Sequence, residues 1–273
     1  MKTPGIRLIL VDIDGTLVGR DGVHESTWSA LDEARARGVM LGICTGRIGH
    51  GRALEYARQV SPEGFHVFQS GAVVTQPDRP AAYASTLPVE SFRELVAISR
   101  REGEPVEAFS EAGFFVEATT PLNLLHAEHL AMEPVIGDLL AVLEAGTTLV
   151  RAQWVVDESR WPHFRALTEP LADLEANPAT APWAPGAVFS NHTRRGTSKA
   201  TALRWLATHL GLGVDEVAMV GDGENDLDAI EAAGLGIAMG NAHESVKARA
   251  QVVVGDADEG GLAQAVRLAL ARG

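Results

Sequence analysis

Ile6 to Val11 is an almost unbroken apolar run, with Arg7 its one polar residue, and it leads straight into Asp12-Ile13-Asp14-Gly15-Thr16-Leu17. A run this short and this apolar suits a strand buried on both faces of a parallel sheet. Strand side chains alternate, so Asp12 and Asp14 start on one face. Gly15 lets the chain turn sharply beyond them. Open α/β sheets bind ligands at the carboxyl ends of their strands, so two acids at this place form a candidate site. A lone Asp-Gly serves equally well as a turn or helix cap, and the remaining residues must therefore supply partners.

The pattern that follows is strand and helix in alternation. A helix is expected over 26–37, with Ser26 as cap and Gly38 as stop, and a second buried strand over 39–44. Helix 51–60 and strand 65–68 continue it, which indicates parallel βαβ units. Near Ala72 the pattern breaks into a proline-bearing stretch over 73–83 that reads as a hairpin or linker. Beyond it come a helix over 88–102, a hairpin around Ser110-Glu111-Ala112-Gly113, and a helix that Thr120 caps with Pro121 at its first position. A strand over 147–156 and a helix over 159–171 follow, and Pro178, Pro182 and Pro185 around Trp183 read as a loop. From Ala187 the first pattern resumes, with a strand over 187–191, a helix over 198–210 and a buried strand over 217–220 that ends in Gly221-Asp222-Gly223-Glu224-Asn225-Asp226. The fold expected is a doubly wound, Rossmann-like parallel α/β sheet core from residues 1–81 and 187–273, with an inserted α/β cap over 82–186.

The net charge is −13, from 36 acidic and 23 basic residues, which opposes binding to nucleic acid or an anionic membrane. An anionic substrate would need a locally positive site, from a metal or a lysine. The single cysteine, Cys44, excludes an intramolecular disulfide; it reads as a buried strand residue, although it adjoins Thr45. No stretch has the apolar length of a membrane span, and the N-terminal apolar run leads into two acids rather than a cleavage site. A soluble cytoplasmic protein, monomer or homodimer, is the expectation.

Four features thus fall on one predicted sheet edge: Asp12 with Asp14, Thr45, Lys199, and the loop Asp222 to Asp226. Singly, Thr45 reads as a helix cap and Lys199 as a solvated helix residue. Three acids and an amide after Val217 to Val220 are a stronger signal, and they lack the twelve-residue ligand spacing of a calcium loop. His126 and His129 have helical i,i+3 spacing but no evident third ligand, so packing is the better reading. Packing is likewise expected for Trp154, Trp161 and Trp183.

Together, D-I-D-G-T-L at 12–17, T-G-R at 45–47, R-G-T-S-K at 195–199 and G-D-G-E-N-D at 221–226 resemble, in order, the four motifs of the haloacid dehalogenase superfamily. Gln69-Ser70-Gly71-Ala72 and the size of the insertion resemble its Cof-type branch, with Ser70 where the branch often has Asn and Ala200 where Gly is common. The resemblance implies a Mg²⁺-dependent phosphatase for small phosphorylated metabolites, foremost sugar phosphates. It implies Asp12 as nucleophile and metal ligand, Asp14 as general acid and base with its carbonyl on the metal, and Asp222 as a further ligand that Asp226 braces. Lys199, Thr45 and Gly46 would hold phosphate, and Asn225 phosphate or substrate. Arg47 would reach substrate or pair with an acid. The rivals are a phosphatase for a phosphorylated glycoside of the sucrose-phosphate or mannosyl-phosphoglycerate type, a phosphomutase, and a non-catalytic metabolite-binding module. A dehalogenase would lack the second aspartate of the first motif, and Asp14 is present.

Overall fold

The computed structural model describes residues 5–111 and 113–272, which form two compact units. The first comprises residues up to Ile48, Arg52–Tyr83, and Ser198 onward. Its parallel sheet has the order Val252–Val253, Leu235–Ala238, Val217–Gly221, Leu8–Val11, Met40–Ile43. Leu8–Val11 is thus hydrogen-bonded on both sides, in register with Val217 to Val220 and Met40 to Ile43. Its unbroken apolar sequence follows from that position, since helices cover both faces. Leu8 and Leu10 pack with Leu203 and Leu206 of helix Lys199–His209 and with Ile230 of helix Leu227–Ala232. Ile9 and Val11 alternate to the other face, where helices Glu25–Ala36 and Gly261–Leu270 pack on each other. Burial of each such side chain stabilises by roughly 1.5–3 kcal/mol. The doubly wound parallel core is as expected.

Several local features differ from the sequence reading. The helix expected to begin on Ser26 is capped by His24, whose side chain accepts from the Ser26 backbone N–H. The third strand, His66–Phe68, pairs antiparallel with Val73–Thr75 and meets the parallel sheet through a bridge at Cys44 and Val67. The proline-bearing stretch after Ala72, read as a hairpin or linker, is a hairpin in which Val73–Thr75 lies beside Tyr83–Ala84.

The second unit comprises Ala84–Thr197 with Gly49–Gly51. Its mixed sheet has the order Leu174–Ala181, Ala184–Arg194, Arg151–Asp157, Val106–Phe109, Phe114–Val116, Val135–Ile136. All pairings are antiparallel except the last. One face packs on helices Val89–Glu102, Leu139–Glu144 and Trp161–Thr168 through Val106, Ala152, Trp154, Val156, Phe92 and Phe164. The strand read at 187–191 as the return of the first pattern lies instead inside this sheet, as part of Ala184–Arg194. The proline loop expected at 178–185 is the hairpin of the two strands. Pro178 sits in Leu174–Ala181 at the sheet's edge, where its missing N–H costs no ladder bond. Thr120 caps its helix with Pro121 in the first turn, as expected, and Asn123 completes a capping box. In the turn after Phe109, Ala112 lies outside the described residues.

Two buried histidines, His66 and His192, went unread in the sequence. His66 is fully buried; its Nδ1 accepts from the Ile43 N–H at 3.0 Å and its Nε2 lies 2.9 Å from the Ser61 carbonyl. Those partners require the neutral ring with its proton on Nε2. Burial pulls its pKa down to about 4, against the Ser61 hydrogen bond that raises it. The unfolded chain, titrating near 6.5, binds the extra proton, so this stability is complete above about pH 6.5 and lost as pH falls toward 4. Between pH 7 and pH 5 the loss from this one group is about 2 kcal/mol. Urea unfolding at both pH values is expected to show that much less pH dependence in His66→Gln than in the wild-type chain. An identical dependence in both would show that His66 does not carry it.

Candidate active site

All of the expected site residues lie in the first unit, at the carboxyl ends of its parallel strands. Asp12 directly follows Leu8–Val11, and its backbone N–H still donates to the Val220 carbonyl at 3.0 Å. Its side chain is 8% exposed. The loop then folds back through Val18 N–H to Ile13 O (2.8 Å) and Gly15 N–H to Val18 O (2.9 Å). Gly15 has φ +77°, and a Cβ there would fall 2.0 Å from Asp222 Oδ2. Only glycine fits this turn, both for conformation and for the approach of the two acidic loops.

Lys199 is the first residue of its helix, behind a capping box of Ser198 and Thr201. It is not solvated: it is 1% exposed. Its Nζ donates to Asp12 Oδ1 at 2.7 Å and to Asp226 Oδ1 at 2.5 Å. Asp226 Oδ2 accepts from the backbone N–H groups of Asp222 (3.1 Å) and Gly223 (2.9 Å), so this buried carboxylate has both oxygens engaged. Asp222 accepts from the Thr16 hydroxyl at 3.0 Å through Oδ1 and from Asn241 Nδ2 at 3.4 Å through Oδ2. Asp14 does not stay with Asp12. The Gly15 turn carries it outward, where Arg47 clasps both of its oxygens, Nε at 2.7 Å and Nη2 closer still. Arg47 therefore pairs with an acid, the second of the two roles open to it, and that hydrogen bond raises its pKa.

Thr45 is buried at the end of strand Met40–Ile43, with its Oγ1 accepting from the Arg47 N–H. Gly46 carries no side chain where a Cβ would lie 3.2 Å from Ser70 Oγ and 3.7 Å from Asn225 Nδ2. Gln69 and Ser70 both have positive φ, and Ser70 N–H donates to the Thr45 carbonyl at 3.0 Å. Cys44 is buried and free, and burial pushes its thiol pKa up, which makes it inert. His126 packs among aromatic rings and meets Glu107 at 2.7 Å, and His129 stacks on Trp183; they form no metal cluster among the described residues.

Oxygens of Asp12, Asp222 and Asp226 lie within 4.8 Å of one another. Three carboxylates here face one ammonium. Burial drives Asp12 up to about 7 even against the attraction of Lys199, and drives Asp222 up to about 6 even against the Thr16 hydrogen bond. Carboxylates short of positive charge, with hard oxygen donors on a rigid loop, fit a divalent cation of the magnesium kind. Burial disfavours the charged form of Lys199, yet Asp12 and Asp226 outweigh it and hold the ammonium protonated.

A parallel α/β sheet with an inserted mixed sheet and an aspartate–lysine cluster at its carboxyl edge defines a class of hydrolases. The chain resembles the phosphoglycolate phosphatase of Methanopyrus kandleri, at 30% identity over 93% of this chain and 92% of that protein. It is 28% identical to the chloroplastic endoribonuclease YBEY of Arabidopsis thaliana over 96% of its own length, but spans only 46% of that protein. Its fold matches the HAD-superfamily phosphatase BT1666 from Bacteroides thetaiotaomicron with a TM-score of 0.80, 27% identity and coverage of 97% and 95% of the two chains. Residues 9–266 match the haloacid dehalogenase-like hydrolases, and the chain belongs to that family, in its Cof-type branch. It is accordingly a phosphoric monoester hydrolase acting on small phosphorylated metabolites.

Two residues in the cluster had no role in the sequence reading. Thr16 holds Asp222 from within D-G-T-L. Asn241 donates to the Gly15 carbonyl at 2.8 Å as well as to Asp222, and accepts from the Ala257 N–H at 2.9 Å. Its signal was its place just beyond Leu235–Ala238, at the same sheet edge as the four motifs. Loss of a residue that orients a ligand carboxylate weakens metal binding by about 10- to 100-fold. Asn241→Ala is expected to shift the Mg²⁺ dependence of the thermal unfolding midpoint to at least about tenfold higher concentration. An unshifted titration would show that Asn241 does not orient Asp222.

Proposed function

We propose that the chain is a Mg²⁺-dependent phosphatase that works through a phosphoryl group carried on Asp12, with sugar phosphates as its foremost substrates. The observation that carries this reading is the buried contact of Lys199 with both Asp12 and Asp226. Lys199 occupies Asp12 Oδ1, which leaves Oδ2 as the oxygen for attack on phosphorus. Attack forms the Asp12–phosphorus bond and breaks the ester bond, and Asp14 gives its proton to the departing alcohol. Asp14 then takes a proton from the water that attacks the aspartyl-phosphate, which frees inorganic phosphate and restores Asp12.

Asp12, Asp222 and the Asp14 carbonyl would hold the Mg²⁺, and Asp226 would brace Asp222 and Lys199, since both of its oxygens are already engaged. Bound there, the cation neutralises the repulsion between an anionic nucleophile and an anionic ester. Lys199, the Thr45 hydroxyl and the Gly46 N–H would hold the phosphate oxygens, and Asn225 the phosphate or its ester. The pairing of Arg47 with Asp14 keeps the acid at the mouth of the site rather than in the buried cluster. The inserted region, 82–186 in the sequence, would select among phosphate esters as a cap, because the residues above touch only phosphate and cation. The Methanopyrus kandleri relative, by its name, acts on a small phosphorylated acid, which supports the size of the substrate.

Asp12→Asn is expected to leave no measurable turnover of an aryl phosphate while circular dichroism shows an intact fold. Asp14→Asn, which keeps the shape but passes no proton, is expected to cost about 10²–10⁴-fold in kcat. Near-normal rates in folded Asp12→Asn would rule out the aspartyl-phosphate. Excess chelator is expected to abolish turnover and Mg²⁺ to restore it; full activity in chelator would remove the cation from the scheme.

A further inference from the structure

Three successive residues after strand His66–Phe68 take left-handed backbone: Gln69 at φ +51°, Ser70 at φ +54° and Gly71 at φ +97°. Glycine adopts this region freely, but at glutamine and serine it is strained. The reversal into the antiparallel strand Val73–Thr75 does not itself require that strain, since glycine and asparagine form such turns without it.

The turn grips the loop Thr45-Gly46-Arg47 on either side of Gly46. The Ser70 N–H donates to the Thr45 carbonyl at 3.0 Å and the Gln69 N–H to the Arg47 carbonyl at 2.9 Å. Within the loop, the Thr45 N–H donates to the Val67 carbonyl at 2.9 Å and the Arg47 N–H to Thr45 Oγ1 at 3.2 Å. The Gly46 N–H lies between these two and meets no acceptor among the described residues. A trans peptide unit points its C=O and its N–H in opposite directions. With the Thr45 carbonyl held by Ser70, the Gly46 N–H of the same peptide unit is aimed away from the turn. At Gly71, a Cβ would fall 2.0 Å from the Ser198 carbonyl oxygen and 2.9 Å from the Lys199 backbone nitrogen, so the same turn lies against the start of the Lys199 helix.

We infer that Gln69 and Ser70 are positioning residues for phosphate: their strained turn is a clasp that aims the Gly46 N–H at a phosphate oxygen and fixes it relative to Lys199. Strained backbone persists where its surroundings over-determine it, and it gathers at functional sites. A donor aimed in advance needs no reorganisation when charge develops on the phosphoryl oxygens. The inference rests on the phosphatase reading, in which Gly46 and Lys199 hold phosphate, and adds the element that keeps the donor in place. The clasp works through the backbone, so the conformation at residue 70 matters and the serine hydroxyl does not.

The test separates backbone conformation from side-chain chemistry. Ser70→Thr keeps the hydroxyl, but its branched side chain opposes positive φ. Ser70→Gly removes the hydroxyl and takes positive φ without strain. Ser70→Thr is expected to lower kcat/KM for p-nitrophenyl phosphate by at least about tenfold, short of the roughly 10²–10³-fold lost with a whole oxyanion donor. Inhibition by inorganic phosphate is expected to weaken in step. Ser70→Gly, which rescues the conformation, is expected to lose no more than about threefold and to unfold at a higher temperature than the wild type. The Gly46 amide resonance reads the donor directly: inorganic phosphate with Mg²⁺ is expected to move it downfield in the wild type and in Ser70→Gly, and less in Ser70→Thr. A greater or equal loss in Ser70→Gly overturns the inference, as does a folded Ser70→Thr that loses stability with kcat/KM unchanged. A wild-type Gly46 amide that ignores phosphate overturns it whether or not Ser70→Thr folds. If the wild type does not hydrolyse p-nitrophenyl phosphate, the phosphatase reading fails, and the amide response to phosphate alone judges the clasp.

Discussion

The first unit depends on one buried ammonium. Lys199 sits between Asp12 and Asp226, each at hydrogen-bond distance, with no solvent to share the charges. Removing one partner from such a buried pair typically costs about 3–5 kcal/mol, because the other is left uncompensated. Here the lysine serves two carboxylates from two different strand ends and fixes the helix that follows Ser198 over both. Asp226 in turn holds the backbone of the Asp222 loop, and the Gly15 turn lets that loop approach the first one. The chain thereby concentrates negative charge around a place where one more cation would settle the balance, and phosphate ester chemistry uses such a place.

The division of labour proposed for Asp12 and Asp14 follows from the same turn. Both leave one strand, yet Asp12 stays buried and Asp14 swings out to Arg47. In the proposed mechanism, a buried carboxylate tied to a lysine is held in one position for attack. An acid at the mouth, 60% exposed, can exchange protons with a leaving group and with water. Two aspartates two residues apart thus acquire different environments from one glycine with positive φ.

Much of this is legible in the sequence because the site is built from contiguous motifs at strand ends. An apolar run that stops at an acid fixes both the strand and the position of the acid, and so the order of residues alone places Asp12, Asp222 and Asp226. Lys199 is marked only through the resemblance, since a lone lysine at a helix start says nothing of burial. The hairpin around Trp183 reads as a loop because proline marks loops, and a sequence does not disclose that a strand will lie at an edge. His24 as a cap, His66 as a neutral bridge and Asn241 as a tie between loops each depend on contacts that no local pattern announces.

The central claim is that phosphoryl transfer passes through Asp12, and the most direct measurement is its capture there. Enzyme mixed with an excess of a small aryl phosphate and Mg²⁺ is quenched in acid, digested and examined by mass spectrometry under conditions that preserve acyl phosphates. The account predicts one added phosphoryl group on the peptide that contains Asp12, localised to Asp12 rather than Asp14, and more of it in Asp14→Asn, where the water that completes the cycle lacks its base. Turnover with no phosphoryl group on Asp12 in either protein, or with the group on another residue, would contradict it.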